Sequence, residues 1–219
     1  MNTPGYGKFI DNLIKQWPIE KPILTSNMAE RMADAFRIDL TDAKKITNVN
    51  LKRIADRGAL RRIQKGVYGK IAETPFGMLA PTDEELLPEL LLWEDGKAIG
   101  YDAGPSLLNM IGLCTLMPKY RTIATNQYRR KIPARAPINV RKPITTVTQE
   151  NAPYLRALEA ISVMDDYPVD AENPEDMLRG MFRRNGLSNE RLIWYARRHC
   201  DNQMLVRTID IALGGDQSQ

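Results

Sequence analysis

The sequence predicts an α+β protein, on three observations. Residues 41–56 carry apolar side chains at helical spacing. Residues 59–71 hold two short β-prone runs on either side of a turn that contains Gly66. Beyond residue 148 the strand signals stop and four helix starts follow one another. The expected divisions are residues 1–75, a compact unit of three helices and a hairpin; 76–148, a small α+β module; and 149–219, a helical segment.

The first helix is expected over residues 7–16, with Phe9, Ile10, Leu13 and Ile14 on one stripe. Trp17-Pro18 ends it, because proline disfavours helix in the residue before it. Ile23-Leu24 reads as a connector or short strand. Thr25 or Ser26 is placed to cap a second helix that turns Met28, Ala29, Met32, Ala33 and Phe36 inward. In the third helix Ala43, Ile46, Leu51 and Ile54 fall on one side at 100° per residue. Thr41, Lys45, Asn48 and Lys52 fall on the other, flanked by Lys44 and Arg53. Asp42 is expected to cap this helix and Gly58 to stop it. A hairpin then follows, with Arg61 and Arg62 on its first strand and Lys65-Gly66 in its turn. This order is the outline of a winged helix-turn-helix, in which a helix enters the major groove and the hairpin tip reaches phosphates or the adjacent minor groove.

Thr74-Pro75-Phe76-Gly77 reads as a linker or loop. Thr82, followed by Asp83, Glu84 and Glu85, starts a helix that runs to about Trp93, with acids complementing its positive end. Asp95-Gly96 is a turn, residues 97–101 a strand, and Gly104-Pro105 the start of a helix that Gly112 ends. Residues 122–125 and 138–141 alternate like strands around the basic loop Tyr128-Arg129-Arg130-Lys131. A small antiparallel sheet with two helices packed on it is expected. Further helices open at Asn151-Ala152-Pro153, Asn173-Pro174 and Ser188, with a last one from about Asn202 to Leu213 and a frayed tail after Gly214-Gly215.

Composition narrows the function classes. The chain has 219 residues, 43% of them hydrophobic and 26% charged, enough for a packed core. No run of about 18 apolar residues suggests a membrane span, and the first residues lack the pattern of a signal peptide. Two cysteines without metal-ligand spacing, Cys114 and Cys200, suit a reducing cytoplasm. The net charge of +4 hides a strong alternation. Residues 1–75 hold 14 basic and 8 acidic side chains, residues 76–116 hold 1 and 7, residues 117–143 hold 8 and none, and residues 144–219 hold 8 and 12. A charged helix face is ordinarily a solvated one. Here residues 40–72 contain nine cations against two acids, and Thr41 and Asn48 stand among the lysines as types that read base edges. The expected partner is therefore double-stranded DNA. The expected contacts are Thr41, Lys44, Lys45, Asn48, Lys52, Arg53, Arg61, Arg62 and Lys65, with Arg129, Arg130 and Lys131 as a second patch.

Two stretches together resemble a known family. LKRIADRGALRRIQKGVYGK, residues 51–70, resembles the winged-helix segment of AbiEi-like antitoxins of type IV toxin–antitoxin systems. IGYDAGPSLLNMIGLCTLMPKYRTIATN, residues 99–126, is similar to the segment that follows it in that family, through Leu108-Asn109, Gly112-Leu113, Thr115, Pro118 and Thr122 or Thr125. The family more often has Thr and Gln where this chain has Cys114 and Met117. The resemblance implies a cytoplasmic abortive-infection antitoxin that represses its own operon by binding operator repeats; a dimer on DNA is one arrangement the sequence allows. It also implies neutralisation of a nucleotidyltransferase-like toxin, typically without a stable complex; no cofactor is expected.

Two other classes compete with this one. A protein-interaction adaptor would use the acidic segment 76–116 to grip a basic partner, without sequence-specific DNA binding. An enzyme is poorly supported. His199 stands within Arg197-Arg198-His199-Cys200 with no acidic or nucleophilic partner in sequence, and no phosphate-binding Gly loop, CxxC or HExxH is present.

Overall fold

The computed structural model describes residues 5–75 and 77–214. The expected frayed tail and Phe76 of the expected linker lie outside the described residues. The fold is α+β, with nine helices and ten strands among the described residues. It divides into two compact units, Met1–Leu90 and Leu91–Gln219, rather than at residues 75 and 148.

The first unit opens with α1 (Tyr6–Gln16), then β1 (Ile23–Leu24), α2 (Thr25–Phe36), α3 (Leu40–Asp56), β2 (Leu60–Gln64) and β3 (Val67–Lys70). Its core joins Ile10 and Ile14 of α1, Ile23, Met28 and Met32, Leu51 and Ile54 of α3, Leu60 and Tyr68. β1 is a strand and adds to the hairpin as an edge, giving an antiparallel sheet in the order β1-β3-β2. Because β1 runs directly into α2, no residue is left between them to act as a side-chain cap. Thr25 and Ser26 are inside the helix, the N-cap is Leu24, and the Thr25 N–H instead donates to the Gly66 carbonyl at 2.9 Å. The cap of α3 is Asp39, not Asp42: its carboxylate accepts the Thr41 N–H at 2.7 Å. Asp42 already lies in the first turn, where its carboxylate accepts a bond from Lys45 Nζ at 3.0 Å. Gly58 takes φ +80° and stops the helix as expected.

In the stretch expected as a linker or loop, Thr74 ends one strand and Gly77 begins the next of a second hairpin, β4 (Ala72–Thr74) with β5 (Gly77–Leu79). α4 (Asp83–Leu92) follows and begins in a capping box. The Thr82 N–H donates to Glu85 Oε2 at 2.6 Å, and the Thr82 hydroxyl accepts from the Glu85 N–H at 3.3 Å.

In the second unit, β6 (Trp93–Glu94) pairs with β7 (Lys97–Ala98) around Asp95-Gly96, both at positive φ. α4 thus ends at Leu92, about where expected, and Trp93 begins a strand, while the strand expected over 97–101 is broken at Ile99. β8 (Gly100–Ala103) leads into α5 (Gly104–Met110), and β9 (Arg121–Thr125) and β10 (Ile138–Arg141) complete the sheet. This sheet is mixed, not antiparallel. β8 pairs antiparallel with β9, but β10 runs parallel to β9, with Ile138 opposite Arg121. A tight loop would force antiparallel pairing; the segment 126–137 is long enough to carry the chain back to the start of β9.

Four more helices follow, α6 (Ala152–Val163), α7 (Pro174–Arg184), α8 (Asn189–His199) and α9 (Asn202–Leu213). Leu155, Leu158 and Ile161 of α6 are buried as their spacing requires. These helices do not form a separate segment, since Leu107, Leu108 and Leu113 share one core with Phe182, Leu192 and Ile211. Ser188 and Asp201 cap α8 and α9 through their side chains, whereas Asn151 and Asn173 make no side-chain cap bond. Proline in the first turn of α6 and α7 removes one of the donors that a cap would satisfy.

Gly100 is the tightest backbone approach in this unit: a Cβ there would collide with the Leu91 carbonyl oxygen and stand 2.9 Å from that of Ala124. Gly100→Ala is expected to destabilise the second unit by about 1–3 kcal/mol, since backbone atoms cannot rotate out of the way as a side chain would. Denaturant melts read this directly, and an unchanged midpoint would contradict the register of β8 on β9.

Candidate nucleic-acid interface

The apolar side of α3 fixes its orientation. Ala43, Thr47, Leu51 and Ile54 are buried, and the Thr47 hydroxyl donates to Met32 Sδ of α2 at 3.8 Å. The opposite side must then face out, and Thr41, Lys44, Lys45, Asn48 and Lys52 are all exposed. Arg53 is exposed too but lies round the helix, lining a groove of about 530 Å³ between α1 and α3 with Lys8, Asp11, Asp56 and Arg57. Val49 adds an exposed methyl-bearing side chain to the outer face.

The hairpin behaves differently from its charge count. Its turn is Lys65-Gly66, with Gly66 at φ +78°, a conformation that suits glycine. Lys65 and Arg62 are exposed. Arg61 points inward: it donates to the Pro81 carbonyl at 2.6 Å and to Asp83 Oδ1 at 2.8 Å, with the Asp83 side chain only 8% exposed. Of the two neighbouring arginines expected at DNA, Arg61 therefore lies over its own unit and Arg62 remains outside. The period-2 alternation of β2 is also disturbed, because the register shifts between Arg62 and Gln64 and brings both Leu60 and Ile63 inside.

Other cations in this stretch are engaged as well. Lys70 Nζ donates to the carbonyls of Lys15 and Trp17 at 2.7 and 3.0 Å and so closes the end of α1. Arg57 pairs with Asp11 at 3.5 Å. Among the described residues, the exposed cations of this stretch without such cross-element partners are Lys44, Lys45, Lys52, Arg53, Arg62 and Lys65.

In the second unit the basic loop is held by Asn126, whose amide donates to and accepts from the backbone of Val147, both at 2.8 Å. Arg129 is exposed and stacks over the Tyr128 ring at 5.4 Å, with Lys142 on the same ring at 6.0 Å. Lys131 is exposed. Arg130, expected outside, is half-buried and donates to Gln127, which in turn donates to Glu94 Oε1 at 2.9 Å. Burial pushes the Arg130 guanidinium down, against the opposing pull of Glu94. The cations of residues 117–143 are also less isolated than their count suggests. Arg121 pairs with Asp102 at 2.7 Å, and Arg141 pairs with the buried Glu159.

No cluster of three or more metal-ligating side chains occurs among the described residues. No helix among them is long and apolar enough to cross a membrane. His199 is half-buried and stacked on Tyr195 at 6.2 Å, with its pKa lowered by burial and by Arg198. No protein-family model matches the chain, and none of the curated proteins matches it.

Two outcomes test this geometry. Arg61→Ala removes the guanidinium partner of a buried carboxylate and is expected to destabilise the first unit by about 1–2 kcal/mol. Arg62→Ala should leave the melting curve unchanged; equal shifts would contradict the assignment of Arg61 as the inward residue. The second concerns the cap of α3. The Asp39 carboxyl is held below its ordinary value, first by the Thr41 N–H and then by the Thr41 hydroxyl. A folded-state pKa below the unfolded one contributes stability above the unfolded pKa and loses it as pH falls through the folded value. Asp39→Ala should therefore narrow the gap between melting temperatures at neutral and acid pH, and an unaltered gap would rule the cap out.

Proposed function

We propose that the chain binds double-stranded DNA as a winged helix-turn-helix, with α3 as the reading helix and the β2–β3 hairpin as the wing. The observation that carries this reading is the outer face of α3, where Thr41, Lys44, Lys45, Asn48 and Lys52 are exposed together opposite a buried apolar side. The element order α1-β1-α2-α3-β2-β3, with β1 paired to β3, supports it. In the major groove, Asn48 can give a paired donor and acceptor to an adenine edge, and the lysines meet flanking phosphates. Arg62 and Lys65 on the wing reach the backbone beside the groove.

On the family resemblance of residues 51–70 and 99–126, we take the physiological role to be that of a repressor that serves as the antitoxin of a type IV system. The acidic segment offered by the adaptor reading is largely engaged within the chain: Asp83 on Arg61, Glu85 on Thr82, Glu94 on Gln127 and Asp102 on Arg121.

Electrophoretic shifts of the DNA upstream of its own gene, at two salt concentrations, test the reading. Lys45→Ala with Lys52→Ala should weaken all duplexes alike and lower the salt slope by about one for each phosphate no longer neutralised. Asn48→Ala should instead cost about 1–3 kcal/mol on the preferred sequence alone. Wild-type binding by the lysine double variant would remove α3 from the interface. Protection of cells from the toxin, measured separately, tests the antitoxin role.

A further inference from the structure

The second unit carries a basic and aromatic face that the duplex-binding reading does not use. Residues 179–200 contain six arginines and one acid, while the rest of residues 144–219 contains two arginines and eleven acids. Arg179 is mostly buried against Asp176 and Glu175, and Arg183, Arg184, Arg191, Arg197 and Arg198 are exposed. Within it, α8 places Arg191, Trp194, Arg197 and Arg198 on its exposed arc, at spacings of three and four residues.

Trp194 is 51% exposed, although an indole is among the largest apolar groups to leave wet. Its plane is nevertheless fixed. Tyr195 meets it edge to face at 4.9 Å and 83°, and the Arg198 guanidinium lies 5.4 Å from the indole centroid. Tyr195 is in turn packed on Tyr154 at 5.3 Å, so the exposed ring is anchored through a ladder of buried ones. Arg191 is engaged by Glu150 at 2.6 Å; Arg198 stands over the indole, and Arg197, three residues on from Trp194, is exposed on the same helix.

We propose that this face binds an unpaired nucleic-acid strand, with a base stacked on Trp194 and the phosphates met by Arg197 and Arg198. An ordered ring with a guanidinium over it gives a base a planar surface, guanidinium or indole, on which to stack. In a duplex that face is hidden in the stack, so the arrangement selects single strands. Arginines suit the role better than lysines because the guanidinium both stacks and forks to phosphate oxygens. The site is separate from α3 and does not require the duplex reading to hold.

The test is fluorescence anisotropy of labelled oligo(dT) and oligo(U) of about 15 nucleotides, which spans a typical single-strand site, with the full chain at low salt. Trp194→Ala is expected to weaken binding about tenfold or more, and Trp194→Phe to keep most of it, since stacking needs a ring but not an indole. Arg197→Ala, at an exposed position, should also weaken binding and make it less sensitive to salt than wild type. The two oligonucleotides tell whether the strand is DNA, RNA or either. Lys45→Ala with Lys52→Ala should leave both curves in place while it depresses duplex binding, so failure of one site is read apart from failure of the other. Absence of oligonucleotide binding would overturn the proposal. So would unchanged binding by a folded Trp194→Ala, or displacement by poly-glutamate as readily as by oligonucleotide, which would mark the face as a surface for acidic proteins.

Discussion

The packing of α3 on α2 is the constraint from which the candidate interface follows. Once Leu51 and Ile54 are sealed in the core and Thr47 reaches Met32, the helix cannot rotate without bringing lysines into an apolar interior. Its outer face is thereby set to within a fraction of a turn. The hairpin that follows is placed by the same core, through Leu60 and Tyr68, and by the β1 edge that holds β3. Specific contact with a rigid duplex needs this kind of fixed presentation, since each rotamer or element ordered on binding subtracts from affinity.

Much of this was legible in the sequence, because periodicity and turn chemistry are local properties. The stripe Ala43, Leu51, Ile54 gave α3 its inward side, Gly58 and Gly66 adopt the positive φ their places in the chain suggest, and the C-terminal helices lie where their proline and serine starts mark them. What was not legible depended on partners distant in sequence. Periodicity does not fix the first residue of α3: Asp39 caps it rather than the expected Asp42, shortly after α2 ends at Arg37 with φ 54°. The parallel pairing of β9 and β10 is invisible to alternation, which is the same for either direction.

The electrostatics teach the same lesson. A charge count along a window treats every cation as available, yet Arg61, Lys70, Arg121, Arg130 and Arg141 each have a partner inside the fold. Two of those partners, Asp102 and Glu159, lie outside the basic window and are mostly buried. The alternation of basic and acidic segments is therefore in part the record of ion pairs that join different elements, and only the remainder is a field presented to solvent. In the first unit that remainder is concentrated on α3 and the wing. In the second it includes Arg129 and Lys131 of the basic loop and Arg197 and Arg198 of α8, all exposed.

The two cores close at very different points along the chain. Every residue of the first unit's main core lies between Phe9 and Tyr68, whereas the second core runs from Leu107 to Ile211. During synthesis the first can be complete while more than half the chain is still unmade, and the second must wait for α9. The consequence is genetic. A premature stop between α4 and α9 would release a product with α3 and the β2–β3 hairpin intact but an incomplete second core. On the proposed duplex-binding reading, such an allele would occupy DNA without any activity housed in the second unit, and in a cell that also carries the full-length gene it would act as a dominant competitor rather than a simple loss.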